Sequence, residues 1–233
     1  MTMDDFAEEL DIMQLSDSFF PSGLFTNSNG IESLFLEKKI KTADDIVQLN
    51  RAYIEQQIGP MDCVVLSNAY DACESQSLEQ LHELDWMCTA MRTIKETRDA
   101  SIRSGIQLVK CVKEFQPENK ILNLYYDSIS QKKASGIYPV SFAICCKSLG
   151  IKKQKALLML LYGFVISNVG AALRLGMIQH FEGQKIIHQL KPIIIKTVKE
   201  NLEKNPQDVW QFCPQLEVNQ MRHEVMDSKM FVT

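Results

Sequence analysis

The chain has 233 residues, of which 45% are hydrophobic and 23% charged, and its formal net charge is −4. These values predict a globular protein with a substantial core, and the negative charge argues against nucleic acid as the main partner. Residues 1–11 carry five acidic side chains, unlike a signal peptide, and the seven cysteines cannot all pair. We therefore expect reduced thiols and a cytoplasmic location.

Apolar residues recur every three to four positions along the whole chain, which predicts an all-α, single-domain helical bundle of nine to ten helices. A first helix should begin at Asp4 or Asp5, with Phe6, Leu10 and Met13 facing inward.

The least generic stretch, called here the signature loop, spans residues 14–32 and mixes aromatic residues with turn formers. Pro21 fixes φ, whereas Gly23 and Gly30 can adopt positive φ, so the stretch predicts one ordered loop. A short helix should follow, with the Glu32 carboxylate in its first turn, where it suits the helix dipole. We expect this carboxylate to be exposed.

The next helices have recognisable start and stop signals. Thr42 and Asp45 form a capping box. The dipeptide Gly59-Pro60 is predicted to end that helix, and a later helix is predicted to continue, with or without a kink, as far as Phe115.

The most apolar helix is predicted from Ala156 to Leu175. It could cross a membrane, but its apolar reach is slightly short, and a buried central helix is favoured. Its small residues Gly163, Gly170, Ala171 and Ala172 are predicted to let other helices approach closely. The last long helix should run from about Phe181 to Leu202.

Composition divides the chain into an α-helical body, residues 1–204, and a C-terminal tail, residues 205–233. The tail mixes charge with apolar residues outside the helical repeat, so we expect it to dock on a partner and to become ordered there.

No local pattern indicates catalysis or a metal site. The cysteines never form Cys-x2-Cys, and His180 and His188 lie about 12 Å apart along a helix, too far to share one ion. We expect no cofactor and no resident metal, although ligands brought together by folding or dimerisation stay possible.

The signature loop resembles the N-terminal motif of the UreF family of urease accessory proteins. The matching residues are Leu15, Ser16, Asp17, Phe19, Phe20, Pro21, Gly23, Phe25, Ser28, Gly30, Ile31 and Glu32. Taken alone, these residues could also do no more than fold a turn onto the helical body.

Later segments extend the resemblance. Arg98 lies in an Arg-x2-Ser-x3-Gly stretch, Tyr162 falls where an aromatic residue is common, and Arg174 lies in a small-residue, Arg, Gly pattern. The tail is similar to the ending Met-x-His-Glu…Arg-Leu-Phe-x-Ser. Lys229 replaces the usual arginine there, which keeps the charge but loses the bidentate fork, and Thr233 replaces the usual serine.

The resemblance implies a non-enzymatic, dimeric scaffold that binds UreD (also called UreH) and recruits the GTPase UreG, so that nickel reaches the urease apoprotein. Two alternatives remain: a regulator that supplies Glu32 or Arg222 to UreG, and a helical enzyme whose site forms only in three dimensions. The residues implied as partner-binding are Pro21, Ser22, Gly23, Asn29, Gly30, Glu32, Arg98, Tyr162, Arg174, Arg222, His223, Glu224, Lys229, Met230 and Phe231.

Overall fold

A computed structural model describes residues 3–23, 26–226 and 228–233. Its α-helices are α1 (Met3–Ser16), α2 (Ile31–Leu36), α3 (Ala43–Tyr53), α4 (Val64–Glu74), α5 (Leu78–Met91), α6 (Lys95–Phe115), α7 (Lys120–Ser130), α8 (Tyr138–Ser148), α9 (Lys153–Arg174), α10 (His180–Asn201) and α11 (Pro214–Glu224). A π-helix, Ile54–Cys63, joins α3 to α4 without a break. If α3, the π-helix and α4 are counted as one continuous helix, the described residues contain ten helices. The described residues contain no strand, which confirms the all-α prediction.

Helix α8 lies at the centre of the body, because it packs against both α4 and α6 and its residues 139–146 are all buried. Helix α9 packs beside it and against α10. By length and composition alone α9 could cross a membrane, but 56% of its most apolar window is buried inside this fold. A core helix therefore accounts for its apolar character.

The two glycines of α9 do not act as predicted. A Cβ added at Gly163 or Gly170 would meet no atom within 4 Å. Neither residue is therefore needed for close helix packing within the chain, and the prediction is wrong for these two glycines, whereas Ala171 and Ala172 are fully buried.

The predicted helix end at Gly59-Pro60 is also wrong, since the backbone continues through both residues as a π-helix. A π-helix changes the hydrogen-bond register and frees some carbonyls for other donors. Two tail amides use them: Trp210 N–H donates to the Pro60 carbonyl at 3.3 Å, and Phe212 N–H donates to the Gln56 carbonyl at 2.9 Å. The tail thus stabilises the π-helix at the point where the Gly59-Pro60 dipeptide predicts a helix end.

Helix α1 presents the opposite face from the one predicted. Phe6, Leu10 and Met13 are 53%, 66% and 64% exposed. The body is contacted instead by Ile12 and Leu15, which pack against the core. Glu8 joins them and accepts from the Lys152 amide at 2.9 Å and from Lys155 Nζ at 3.1 Å. Burial acts to raise the pKa of Glu8, but these bonds outweigh it and lower the pKa.

The predicted continuous helix ending at Phe115 is split, because α5 ends at Met91 and α6 begins at Lys95. The break turns Arg92 inward, where its guanidinium pairs with the buried Asp62 of the π-helix. The capping box of Thr42 and Asp45 is confirmed, and α10 lies within one residue of the predicted bounds.

Candidate functional site

The C-terminal tail packs on the body rather than projecting from it. Phe231 is 5% exposed and Thr233 is 2% exposed, although Met230 remains 63% exposed. The expectation that the apolar residues of the tail lie outside the core is therefore wrong for Phe231. Whether the tail also docks on a partner stays a prediction.

Glu32 is the anchor for the end of the tail. Its Oε1 accepts the Met230 N–H at 2.7 Å, and its Oε2 accepts the Phe231 N–H at 3.1 Å. The side chain is 4% exposed, so the expectation of an exposed carboxylate is wrong. The physical reason is tertiary: the tail covers the first turn of α2 and supplies the donors that a buried carboxylate requires.

His223 of α11 is fully buried between two carboxylates. Its Nε2 lies 3.0 Å from Glu32 Oε2, and its Nδ1 lies 2.7 Å from Glu96 Oε2. Lys229 Nζ donates to the other oxygen of Glu96 at 2.8 Å and to the Glu224 carbonyl at 3.0 Å. We call Glu32, Glu96, His223 and Lys229 the carboxylate–histidine cluster.

The signature loop binds the last residues through backbone groups. Ser28 donates to the Thr233 carbonyl from its N–H at 2.7 Å and from its Oγ at 2.5 Å. The Val232 N–H donates to the Thr26 carbonyl at 3.0 Å. At Gly30, φ is +83° and an added Cβ would lie 3.2 Å from Gln220 Cγ, so a glycine is favoured on both counts.

A polar layer beneath the loop connects it to three helices. Asn29 Nδ2 donates to Asn168 Oδ1 at 2.7 Å, and Asn168 Nδ2 donates to Asn50 Oδ1 at 3.0 Å. The Tyr53 hydroxyl donates to the Asn29 carbonyl and accepts from Gln220 Nε2 at 3.1 Å. Of these residues the sequence analysis named only Asn29; the available signal was a polar side chain within an otherwise apolar helix, as Asn168 is.

Arg174, at the C-terminal end of α9, contacts the end of the tail. Its guanidinium carbon lies 4.4 Å from the centre of the Phe231 ring, a cation–π contact, and its Nε donates to the Gly170 carbonyl at 3.1 Å. The tertiary fold thus unites Arg174 with the loop and the tail, which the sequence presents as three separate motifs.

Pro21, Ser22 and Gly23 line a groove that the loop forms with α6 and Val232. Ser22 is buried, whereas Pro21 and Gly23 are exposed. Gly23 has a φ of +76°, which confirms the predicted need for a residue that tolerates positive φ.

The remaining predicted residues are not drawn into the cluster. Arg98 donates to the Arg92 carbonyl at 3.0 Å, and Tyr162 is 40% exposed on α9. Arg222 forms a half-exposed ion pair with Glu37 at 2.9 Å.

Among the described residues, no group of three His, Cys, Asp or Glu side chains is arranged to hold a metal ion. The carboxylate–histidine cluster illustrates the reason, because the two ring nitrogens of His223 face different carboxylates in opposite directions. A cavity of about 90 Å³ beside the end of the tail is lined by Asp62, Arg92 and Thr233 among others. It has room for a few water molecules, which could satisfy the buried Arg92 Nε that has no protein partner.

The fold and the site together define an all-helical protein in which a carboxylate–histidine cluster holds residues 229–231 against the first turn of α2. Residues 40–191 match the sequence model of the UreF family. The chain is 30% identical to the urease accessory protein UreF of Trichodesmium erythraeum over 231 residues, which cover 99% of each chain.

It is also 31% identical to UreF of Bacillus sp. (strain TB-90), over 96% of this chain and 98% of the relative. Identity to UreF of Haemophilus influenzae (strain PittEE) is 24%, over 95% and 94%. The chain belongs to the UreF family of urease accessory proteins.

Proposed function

We propose that this chain is a non-enzymatic, cytoplasmic scaffold for urease maturation. In this role it binds UreD (UreH) and recruits the GTPase UreG, so that nickel is inserted into the urease apoprotein. The nickel is cargo, and the chain itself needs no resident metal. Membership of the UreF family supports the urease-related role.

One observation carries the proposal: the last residues of the tail are fixed in place and yet leave apolar side chains uncovered. Met230 is 63% exposed and Val232 is 43% exposed, whereas Phe231 between them is buried. Val232 shares a groove with Pro21 and with the α6 residue Arg103. A rigid apolar strip with a polar rim is the usual composition of a protein-binding surface.

A regulator that offers Glu32 or Arg222 to the nucleotide site of UreG is less well supported. Glu32 already accepts hydrogen bonds from two tail amides, and its Oε2 lies 3.0 Å from His223 Nε2. Arg222 is paired with Glu37. A scaffold uses the surface around these groups rather than the groups themselves.

A second copy of the chain is proposed to bind elsewhere. Phe181 at the start of α10 is 84% exposed, Ile195 is 49% exposed, and Tyr162 on α9 is 40% exposed. These apolar side chains support a homodimer surface that leaves the loop and tail free for UreD and UreG.

Co-purification with UreD and UreG homologues tests the proposal. The variant Met230→Asp, Val232→Asp changes exposed side chains, so it should stay folded but lose UreD capture. Leu124→Asp on α7, where the side chain is 39% exposed, is the matched control and should capture UreD normally. Capture of UreD by the tail variant at the wild-type level would refute the role of this surface.

Single-turnover GTP hydrolysis by UreG, with and without the chain, separates scaffolding from regulation. A scaffold leaves the hydrolysis rate unchanged in the absence of UreD and urease. An activating protein raises that rate by several orders of magnitude.

A further inference from the structure

The environment of His223 determines its protonation state. An ionised carboxylate only accepts hydrogen bonds, and a neutral imidazole has one donor nitrogen and one acceptor nitrogen. Both ring nitrogens of His223 lie within 3.0 Å of a carboxylate oxygen. With both carboxylates ionised, both nitrogens must carry a hydrogen, and the ring is an imidazolium.

The other partners of the two carboxylates favour the ionised form of both. Glu32 accepts from the Met230 and Phe231 amides, and Glu96 accepts from Lys229 Nζ. Each of these partners is a donor, so the only acceptor that either carboxyl group could face is a ring nitrogen of His223, and the ring is much the stronger base of the two.

Charge counting leads to the same state. Two carboxylates balance the Lys229 ammonium and a charged His223, and the cluster is then neutral. A neutral ring would leave one uncompensated negative charge and would set a nitrogen lone pair against a carboxylate oxygen, which is costly away from water.

The protonated ring and the end of the tail use the same two carboxylates. Glu32 binds His223 together with Met230 and Phe231, while Glu96 binds His223 together with Lys229. The charged groups that face the ring from its neighbours are Glu32 on α2 and Glu96 on α6, with Lys229 on the far side of Glu96. Losing the ring proton would therefore weaken the anchors of residues 229–231.

We propose that docking of the tail end, residues 228–233, is linked to uptake of one proton at His223. The docked state holds the extra proton, so docking strengthens as pH falls and weakens as pH rises. A solvated imidazole is mostly neutral at pH 8, and one linked proton changes an equilibrium constant by up to tenfold per pH unit. The exposed strip of Met230 and Val232 is thus presented in a pH-dependent manner, with or without a partner.

The first test is ring nitrogen NMR on the full chain. Long-range ¹H–¹⁵N spectra distinguish a ring with two protonated nitrogens from either neutral tautomer. We expect His223 to have two protonated nitrogens at pH 7.5. A bare nitrogen on His223 at that pH, with the tail docked, would overturn the proposal.

The second test is hydrogen exchange of the peptide that contains residues 228–233. After correction for the intrinsic pH dependence of exchange, its protection factor should fall by up to tenfold per unit between pH 7 and pH 9. His223→Gln should abolish that dependence, while His188→Gln and His82→Gln should retain it. Wild-type protection that stays within twofold over this range contradicts the proton link. Should His223→Gln fail to fold, the wild-type ring spectrum and wild-type exchange still decide.

Discussion

Replacing Glu32 by alanine is the sharpest perturbation of this fold. The side chain is 4% exposed, accepts hydrogen bonds from two tail amides and lies within hydrogen-bond distance of His223. Leaving a buried donor without its partner costs about 1–3 kcal/mol, and more when the donor is charged. In the alanine variant the tail can undock, and its amides then bind water. The stability lost through the substitution therefore cannot exceed the free energy of tail docking.

We therefore expect Glu32→Ala to cost about 3 kcal/mol of docking free energy, which lowers the ratio of docked to released tail by more than 100-fold. Hydrogen exchange of residues 228–233 measures this local loss. Urea unfolding followed by circular dichroism measures the loss of global unfolding free energy, which should be equal to the local loss or smaller.

Two comparisons make the result interpretable. Glu32→Gln keeps an acceptor oxygen and should lose less than the alanine variant. Glu83→Ala removes an exposed carboxylate from α5 and should stay within about 0.5 kcal/mol of wild type. If Glu32→Ala matches Glu83→Ala in both assays, the carboxylate does not hold the tail and the reasoning fails.

Three further predictions concern the body. Gly105→Ala should unfold or strongly destabilise the chain, because the added Cβ would lie 2.1 Å from a backbone carbonyl oxygen. Gly170→Ala, whose added Cβ would meet no atom within 4 Å, should instead stabilise the chain by up to about 1 kcal/mol in thermal melts. Arg92→Ala should lower the free energy of unfolding in urea by about 3–5 kcal/mol, because it leaves the buried Asp62 carboxylate without its partner. A loss below about 1 kcal/mol would contradict a buried ion pair. Iodoacetamide should label Cys111 first, since it alone among the seven thiols is half-buried rather than buried, and peptide mass spectrometry that finds a buried thiol labelled faster would contradict this.

The pKa values of the buried thiols strengthen the last expectation. Burial raises the pKa of Cys73 and of Cys88 to about 12. The reactive form is the thiolate, so these residues stay inert in the folded chain until pH approaches that range.

The local chemistry of the sequence determined the helical class and most helix positions. The 3.6-residue repeat gives α10 to within one residue, and the capping box at Thr42 and Asp45 marks the start of α3. These features are local: a cap or a periodic face involves residues three or four positions apart. The motifs at the loop, at Arg174 and in the tail were also visible, but as unconnected stretches.

Only the tertiary structure decided which faces are buried and what the motif residues do. Glu32 looked like an exposed helix-start carboxylate, and it became buried because the tail, about 200 positions away, supplies its donors. Phe6, Leu10 and Met13 form a regular apolar face, but the body binds α1 through the opposite face, which carries Glu8, Ile12 and Leu15. Periodicity shows that a helix has two faces, whereas contacts between distant residues determine which face the core covers.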